Sequence, residues 1–235
     1  MVREAVVAGM FYPSDKEELI DQINDSFHSK FGPGTLPAKK RVKEVLGMIA
    51  PHAGYQFSGP GAAWAYKELG ESKLADVYVI LGLSHSGQGS CVSLEDWETP
   101  LGKVEVDKEF NEALIMNSKL KQNEEAHMQE HSIEVQLPFL QFVNRDFLDK
   151  FKIAPITVSG DYEEIAKAIV ETIKQTGKKV AIIASSDFTH YGMNYGFFPF
   201  SSNVKENMHK MDKGAIIEIE KLNSNGFLDY VEHTG

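Results

Sequence analysis

The chain has 235 residues, 42% of them hydrophobic, and a formal net charge of −10 at pH 7. The negative charge argues against a nucleic-acid binder that neutralises phosphates and against a binder of anionic membranes. The single cysteine, Cys91, excludes an intrachain disulfide and fits a reducing compartment. No apolar run approaches the length of a membrane span, and the first residues do not resemble a signal peptide, so we expect a cytoplasmic protein.

The pattern of predicted elements indicates one α/β domain, because no Pro/Ser/Gly-rich or highly charged linker divides the chain. Ser14 followed by Glu17 is typical of a capping box and predicts a helix that ends before Gly32. Apolar runs predict four central strands, at residues 45–50, 76–83, 151–158 and 179–184. The other predicted elements are a helix over 58–70 with Pro60 in its first turn, paired edge strands at 91–94 and 102–106, and helices at 107–115, 124–140 with a kink at Pro138, 165–173, 204–222 and 224–231. This alternation predicts a central, mainly parallel sheet with helices on both faces.

Three of the central strands each end just before a histidine, namely His52, His85 and His190. In parallel α/β sheets, ligands bind beyond the carboxyl ends of the strands, so we expect these side chains to share a site. Neutral imidazole is the commonest protein ligand for metals. Two histidines and one anionic ligand, with coordination positions left open, are typical of non-haem iron and catalytic zinc sites. The pattern therefore predicts a metal site.

The segment before residue 140 adds further candidates. His131 and Glu134 share one face if this segment is helical, and they can then supply an acid/base pair. An exposed helix face is the alternative interpretation for Glu130 and Glu134. His127 and Asp187 are further candidate site residues.

Other chemistries are less well supported by the sequence. Ser84, Ser185 and Ser186 lie beside histidine or aspartate, but there is no Gly-x-Ser-x-Gly elbow, and adjacent residues rarely provide the geometry of a triad. Neither a Walker A motif nor a Gly-x-Gly-x-x-Gly after a strand is present, which argues against a phosphate cradle. Cys91 can be a thiolate ligand or a nucleophile, although a small buried core residue is the favoured interpretation.

These motifs in combination resemble the MEMO family (mediator of ErbB2-driven cell motility), also called AmmeMemoRadiSam system protein B in prokaryotes. The matching segments cover nearly the whole chain: Ala-Gly-Met-Phe-Tyr-Pro at 8–13, Pro-His-Ala-Gly-Tyr at 51–55, Leu-Ser-His at 83–85, Glu-His-Ser-Ile-Glu at 130–134 and Ser-Ser-Asp-Phe-Thr-His-Tyr-Gly at 185–192. The resemblance implies a fold like that of the LigB-type class III extradiol dioxygenases, which are non-haem iron enzymes.

The resemblance also implies roles for particular residues. His52 and His85 match the family's two histidine metal ligands. Asp187 and His190 match residues that line the same pocket, and His190 has the position of the dioxygenases' acid/base histidine. His131 belongs to a family motif near the cleft. We therefore assign His52 and His85 as metal ligands, and His190, Asp187 and His131 as catalytic residues.

The family's third metal ligand is a cysteine near the C-terminus, in a strand after the last helix. This chain stops at Gly235, about where that segment should begin, and Cys91 is in the wrong place to replace the cysteine. We therefore expect a single MEMO-like domain over 1–235 that lacks its C-terminal segment. Cysteine in place of the dioxygenases' carboxylate would shift the preference of the site toward softer metals.

The leading hypothesis is a metal-binding redox protein with iron or copper, zinc being possible, in a histidine-lined cleft that takes a small molecule or a peptide. A dioxygenase-like oxidoreductase activity rests on fold analogy alone. The alternative is a non-catalytic module that recognises phosphopeptides or other anions in the same cleft. A third hypothesis is a scaffold with vestigial ligands. The sequence fixes neither the substrate nor the oligomeric state.

Overall fold

The computed structural model describes residues 2–235. The chain divides into two compact units, and the boundary lies between Ser186 and Asp187. The strands, all in the first unit, are β1 (Val2–Arg3), β2 (Gly47–Ala50), β3 (Val77–Leu83), β4 (Cys91–Val92), β5 (Asp96–Thr99), β6 (Gly102–Val104), β7 (Lys121–Gln122), β8 (Lys152–Val158) and β9 (Val180–Ser185). The helices of this unit are α1 (Lys16–His28), α2 (Tyr55–Gly70), α3 (Lys108–Met116), α4 (Glu124–Met128), α5 (His131–Glu134), α6 (Gln136–Val143) and α7 (Tyr162–Thr176). The expected single domain over 1–235 stays a prediction.

A six-stranded sheet with the order β2-β9-β3-β8-β4-β7 forms the centre of the first unit. The strands β2, β9, β3 and β8 are parallel, and only the β4–β8 pair is antiparallel. All four predicted central strands and the mainly parallel sheet are thus confirmed. Because β9 lies between β2 and β3, the carboxyl ends of these three strands are neighbours at one edge of the sheet.

The predicted pairing of the two edge strands is wrong. Residues 91–92 pair with β8 and β7, whereas 102–104 pair with β5 in a separate three-stranded sheet of order β1-β5-β6. The strand at Cys91 ends early because the chain turns toward a carboxylate after Ser93, whose N–H still donates to the Pro155 carbonyl of β8 at 3.3 Å. Glu124 accepts hydrogen bonds from the Ser93 hydroxyl at 2.5 Å and from the Leu94 N–H at 2.8 Å.

Three predicted helix features also differ from the structure. The N-cap of α1 is Asp15 rather than Ser14, since the Asp15 carboxylate accepts from the backbone N–H groups of Glu17 and Glu18. Helix α2 begins at Tyr55, whose N–H donates to the Phe11 carbonyl at 2.7 Å, so Pro60 lies inside the helix and not in its first turn.

The predicted kinked helix over 124–140 is instead three short helices, α4, α5 and α6. The chain breaks before α5 because the Glu130 side chain accepts from the Ser132 N–H and caps a new helix there. Pro138 is the third residue of α6, a position in the first turn where its missing N–H costs no intrahelical hydrogen bond.

Helices cover both faces of the sheet, and the side chains of β3 alternate between them. Tyr78 and Ile80 pack with residues of α1, α2 and α6, while Val77 and Val79 pack with residues of α3 and α7. In the first of these cores, the Phe139 ring stacks on Tyr66 with their centroids 5.1 Å apart. The predicted two-sided packing is confirmed.

Gly82 allows β3 to approach α5 closely. A Cβ atom added to Gly82 would lie 2.5 Å from Cγ1 of Ile133 and 2.6 Å from the Ser132 hydroxyl oxygen. We expect Gly82→Ala to lower the free energy of unfolding by about 1–3 kcal/mol, because the helix must move to admit the methyl group. Urea denaturation measures this loss. Gly61→Ala in α2 is the control, since its nearest neighbour would be 3.9 Å away, and equal losses in both variants would contradict the prediction.

The second unit, Asp187–Gly235, contains a short 3-10 turn at Met193–Tyr195 and two helices, α8 (Val204–Glu220) and α9 (Ser224–Thr234). Both helices were expected from the sequence and are confirmed. The Tyr230 hydroxyl on α9 donates to the Met211 carbonyl on α8 at 2.9 Å, which links the two helices. Among the described residues, no helix is long and apolar enough to cross a membrane.

Candidate metal centre

Three histidines of the first unit come together at the carboxyl ends of the parallel strands. His52 follows β2, His85 follows β3, and His131 is the first residue of α5. Each offers one ligand atom, and these atoms all lie within 4.8 Å of one another. His52 is buried, His131 is partly buried and His85 is exposed, so the group opens to solvent on the side of His85.

The three imidazole rings have a defined arrangement. His85 and His131 stack, with their ring centroids 4.5 Å apart and their planes 24° from parallel. The His52 ring stands nearly perpendicular to both, at 5.8 Å from His85 and 5.7 Å from His131. Sequence reasoning assigned His52 and His85 as metal ligands and His131 as a catalytic residue, and these roles stay predictions. The structure adds that His131 can supply a third ligand atom.

A hydrogen bond to Ser185 determines the tautomer of His52. Nδ1 of His52 lies 3.0 Å from the Ser185 hydroxyl oxygen. That hydroxyl gives its only proton to the Ser132 carbonyl, at 2.6 Å, and also accepts from the Gln136 amide at 2.9 Å. His52 must therefore donate through Nδ1–H, and a neutral ring then carries its lone pair on Nε2.

The serine-hydrolase alternative does not gain support from this geometry. Because the Ser185 proton points to a backbone carbonyl, His52 does not act as its base. Ser185 instead orients a histidine, a role that its place at the end of a predicted strand could have suggested.

A hydrogen bond to Glu130 determines the tautomer of His85. Nδ1 of His85 lies 2.9 Å from Oε1 of Glu130, and the His85 backbone N–H donates to Oε2 at 2.9 Å. A carboxylate only accepts, so His85 also carries a proton on Nδ1, and a neutral ring then has its lone pair on Nε2. Carboxylates behind ligating histidines are the usual means by which proteins orient such rings and raise their basicity.

Glu130 is a centre of hydrogen bonding that sequence reasoning did not identify. Its side chain is fully buried, so the exposed-face interpretation is wrong. Oε1 also accepts from the Ser132 N–H at 2.9 Å and from the Ser132 hydroxyl at 2.7 Å. Burial alone would raise the pKa of Glu130, but the hydrogen bonds from Ser132 and His85 outweigh it and lower the pKa below its ordinary value. The carboxyl group is thus an ionised acceptor at neutral pH.

Glu134 has a structural role, and neither sequence-based interpretation of it is correct. Its carboxylate is fully buried and accepts from the Arg3 guanidinium at 2.7 Å and from the Tyr12 hydroxyl at 2.5 Å. It also accepts from the N–H groups of Val6 and Val7, both at 3.1 Å. With all these acceptor positions in use, Glu134 does not form an acid/base pair with His131, and it fixes the N-terminal segment to α5 instead.

Asp187 and His190 belong to the second unit. Nε2 of His190 lies 3.3 Å from Oδ2 of Asp187, and the histidine is the more exposed of the two. The centroid of the Tyr195 ring is 4.9 Å from that of His190. The predicted catalytic roles of Asp187 and His190 stay predictions.

Cys91 and His127 are buried neighbours inside the first unit. The Cys91 sulfur lies 3.0 Å from the Thr157 hydroxyl, and burial raises the pKa of the thiol, which is therefore neutral. The core interpretation of Cys91 is confirmed. His127 donates from Nδ1 to the Asn123 carbonyl at 2.8 Å and does not belong to the group of three histidines.

The buried His127 gives the protein a pH dependence of stability. Burial lowers the pKa of His127 below the value near 6.5 that it has in the unfolded chain. Between these two pKa values the unfolded state binds a proton that the folded state does not, so stability falls as the pH drops below about 6.5. We expect the metal-free protein to lose about 1 kcal/mol more stability than His127→Gln between pH 7.5 and pH 5.5 in urea denaturation. If the wild type and His127→Gln lost equal stability over this pH range, His127 would not be the source of the pH dependence.

The donor chemistry of the three histidines fits a metal ion. Imidazole nitrogens bind zinc at about 2.0–2.1 Å, so three nitrogens around one ion lie about 3.3–3.6 Å apart. The histidine ligand atoms lie within 4.8 Å of one another, so metal binding requires the rings to move closer together. Imidazole suits zinc, copper, iron and nickel, and therefore the ligands alone do not select one metal.

The fold and this site define an α/β protein with a three-histidine group, able to hold a metal ion, at the carboxyl ends of its parallel strands. The chain belongs to the Memo-like protein family, whose model matches residues 3–235. This result confirms the resemblance seen in the sequence motifs.

Several relatives that carry the MEMO1 family name match most of this chain. A MEMO1 family protein from Methanothermobacter thermautotrophicus is 45% identical over 199 residues, which cover 81% of this chain and 70% of the relative. One from Methanopyrus kandleri is 42% identical over 228 residues, or 93% and 80% of the two chains. One from Saccharolobus solfataricus is 41% identical over 244 aligned positions, or 99% and 81%.

Proposed function

We propose that this chain is a metal-binding redox protein in which His52, His85 and His131 hold one iron or copper ion. The observation that carries the proposal is the convergence of three imidazole nitrogens within 4.8 Å. The hydrogen bonds that Nδ1–H of His52 and of His85 donate support it, because they leave the lone pair of each ring, when neutral, on Nε2. A cytoplasmic location, which fits the single cysteine, is part of the proposal.

The protein residues have separate roles in this proposal. Ser185 and Glu130 orient His52 and His85, and the exposed side of His85 gives a small molecule or peptide access to the centre. A bound iron or copper ion would supply one-electron redox chemistry and Lewis acidity. His190, with Asp187 as its hydrogen-bond partner, is proposed to hold and transfer a proton.

The binding-module alternative requires donors for an anion. Neutral imidazoles whose Nδ1–H is already hydrogen-bonded offer lone pairs rather than N–H groups, and lone pairs attract cations. The geometry therefore favours a metal ion over a phosphate group as the ligand of these histidines.

The test is the metal content of protein that is purified without oxygen and dialysed. We expect near-stoichiometric iron or copper in the wild type and a loss of most of it in His52→Ala, His85→Ala and His131→Ala. His28→Ala is the matched control, because His28 is an exposed histidine on α1 whose ring hydrogen-bonds to the Asn24 carbonyl of the same helix. Absence of metal from the wild type, together with phosphopeptide binding that a chelator does not affect, would replace the proposal with the binding-module alternative.

A further inference from the structure

The guanidinium group of Arg3 binds three points on the segment that carries His131. Nε donates to the His127 carbonyl at 2.7 Å, Nη2 donates to the Glu130 carbonyl at 2.9 Å, and Nη1 donates to the Glu134 carboxylate at 2.7 Å. The side chain is buried, and its charged end lies 4.0 Å from the centroid of the Trp97 ring. A residue at the start of the chain thus holds residues about 130 positions later.

The three acceptors define the break between α4 and α5. The His127 carbonyl is in the last turn of α4, Glu130 is the N-cap of α5, and Glu134 ends α5. Both Glu130, which orients His85, and His131 lie inside this stretch. A change in the path of the backbone here would therefore move the His85 and His131 rings together.

Only arginine suits these acceptors. Its guanidinium is planar and carries five N–H donors in a rigid fork, whereas a lysine ammonium places its three donors at one point. The lysine side chain is also too short to reach all three acceptors and remain stacked on Trp97. Buried ion pairs contribute little net stability compared with apolar residues of similar volume, so stability alone does not explain an arginine at this position.

We propose that Arg3 is a positioning residue for the histidine group. It holds residues 127–134 so that the Glu130 carboxylate meets His85 and the His131 ring stacks on His85. Phe11 completes this arrangement from the same N-terminal segment, with its ring centroid 4.8 Å from that of His131. The inference rests on the proposed function, because the histidines are positioned in order to bind a metal ion. The positions of the histidine rings themselves can be observed in metal-free protein.

The test compares Arg3→Lys with Arg41→Lys. Arg41 is a matched control because its guanidinium also binds backbone carbonyls, those of Ser72 and Val143, and lies 5.0 Å from the centroid of the Phe147 ring. Within the described part of the chain, its hydrogen bonds go to Ser72, Val143 and Asn144, which lie outside residues 127–134. Both variants are expected to melt at a lower temperature than the wild type. Because Arg41 is only partly buried, its loss sets a lower bound for the purely structural contribution of the buried Arg3 guanidinium.

The decisive measurements are the NMR signals of the histidine ring nitrogens in metal-free protein and the dissociation constant for Co²⁺ with its visible spectrum. For Arg3→Lys we expect shifted His85 and His131 signals, Co²⁺ affinity lowered by about tenfold or more, and an altered spectrum. For Arg41→Lys we expect unchanged signals and an affinity within about twofold of the wild type. Arg3→Gln, measured at low temperature, replaces Arg3→Lys if that variant does not fold.

A lower melting temperature in Arg3→Lys with wild-type ring signals and wild-type Co²⁺ binding would overturn the inference and leave Arg3 a structural residue. The failure of the metal proposal looks different. In that case the wild type itself binds no Co²⁺ through His52 and His85, while the ring signals of the metal-free Arg3 variant still report whether the histidines have moved.

Discussion

Replacement of Glu130 with glutamine is expected to weaken the binding of Cu²⁺ or Fe²⁺ by about 10- to 100-fold, the loss found when a partner behind a ligating histidine is removed. The Glu130 carboxylate accepts from the backbone and ring N–H groups of His85 and from the N–H and hydroxyl of Ser132. Glutamine has only one acceptor oxygen, so its amide NH₂ must face an N–H or O–H donor. The His85 ring then loses its fixed orientation.

Isothermal titration with the metal measures this effect, and Glu124→Gln is the matched control. Glu124 is also a carboxylate that accepts from a serine hydroxyl and a backbone N–H, but its partners are Ser93 and Leu94, which do not belong to the histidine group. We expect the control to bind metal like the wild type. If the two variants lose affinity equally, or neither does, Glu130 does not orient His85.

The largest expected loss of stability follows the replacement of Glu134 with glutamine. The change leaves the buried Arg3 guanidinium without its carboxylate and turns an amide NH₂ toward the N–H groups of Val6 and Val7 or the Tyr12 hydroxyl. Removal of one partner of a buried ion pair costs about 3–5 kcal/mol, because an uncompensated charge remains in the interior. We expect the free energy of unfolding to fall by this amount in urea denaturation.

The matched control for Glu134 is the exposed pair of Lys119 and Glu164, whose nitrogen and oxygen atoms lie 2.9 Å apart. Glu164→Gln should change the free energy of unfolding by less than about 1 kcal/mol, since solvent screens exposed pairs. A loss below about 1 kcal/mol in Glu134→Gln would show that water enters the site or that the N-terminal segment is not held by this carboxylate.

The sequence predicted the positions of His52 and His85 well. Each follows an apolar run of the kind that forms a strand buried in a parallel sheet, and the ends of such strands meet at one edge. A buried parallel strand can be predicted from its own apolar residues alone, and the place of the histidine that follows it is then predicted as well.

The place of His131 could not be predicted in the same way. Helical spacing in 124–140 suggested one continuous helix, which would have given His131 a different orientation. The break depends on the Glu130 side chain capping α5 and on hydrogen bonds from Arg3, which is 127 residues away from Glu130. Such long-range contacts of buried polar groups leave no periodic pattern in the sequence. The burial of Glu130 and Glu134 escaped prediction for the same reason.

The most direct test of the central claim is to count the imidazoles that share one ion. Pulsed electron paramagnetic resonance of Cu²⁺-loaded protein detects the remote ring nitrogen of each coordinated histidine, which is Nδ1 when Nε2 binds. We predict three coordinated imidazoles in the wild type and two in His131→Gln. One imidazole or none in the wild type, or the same number in His131→Gln, would contradict a metal centre formed by His52, His85 and His131.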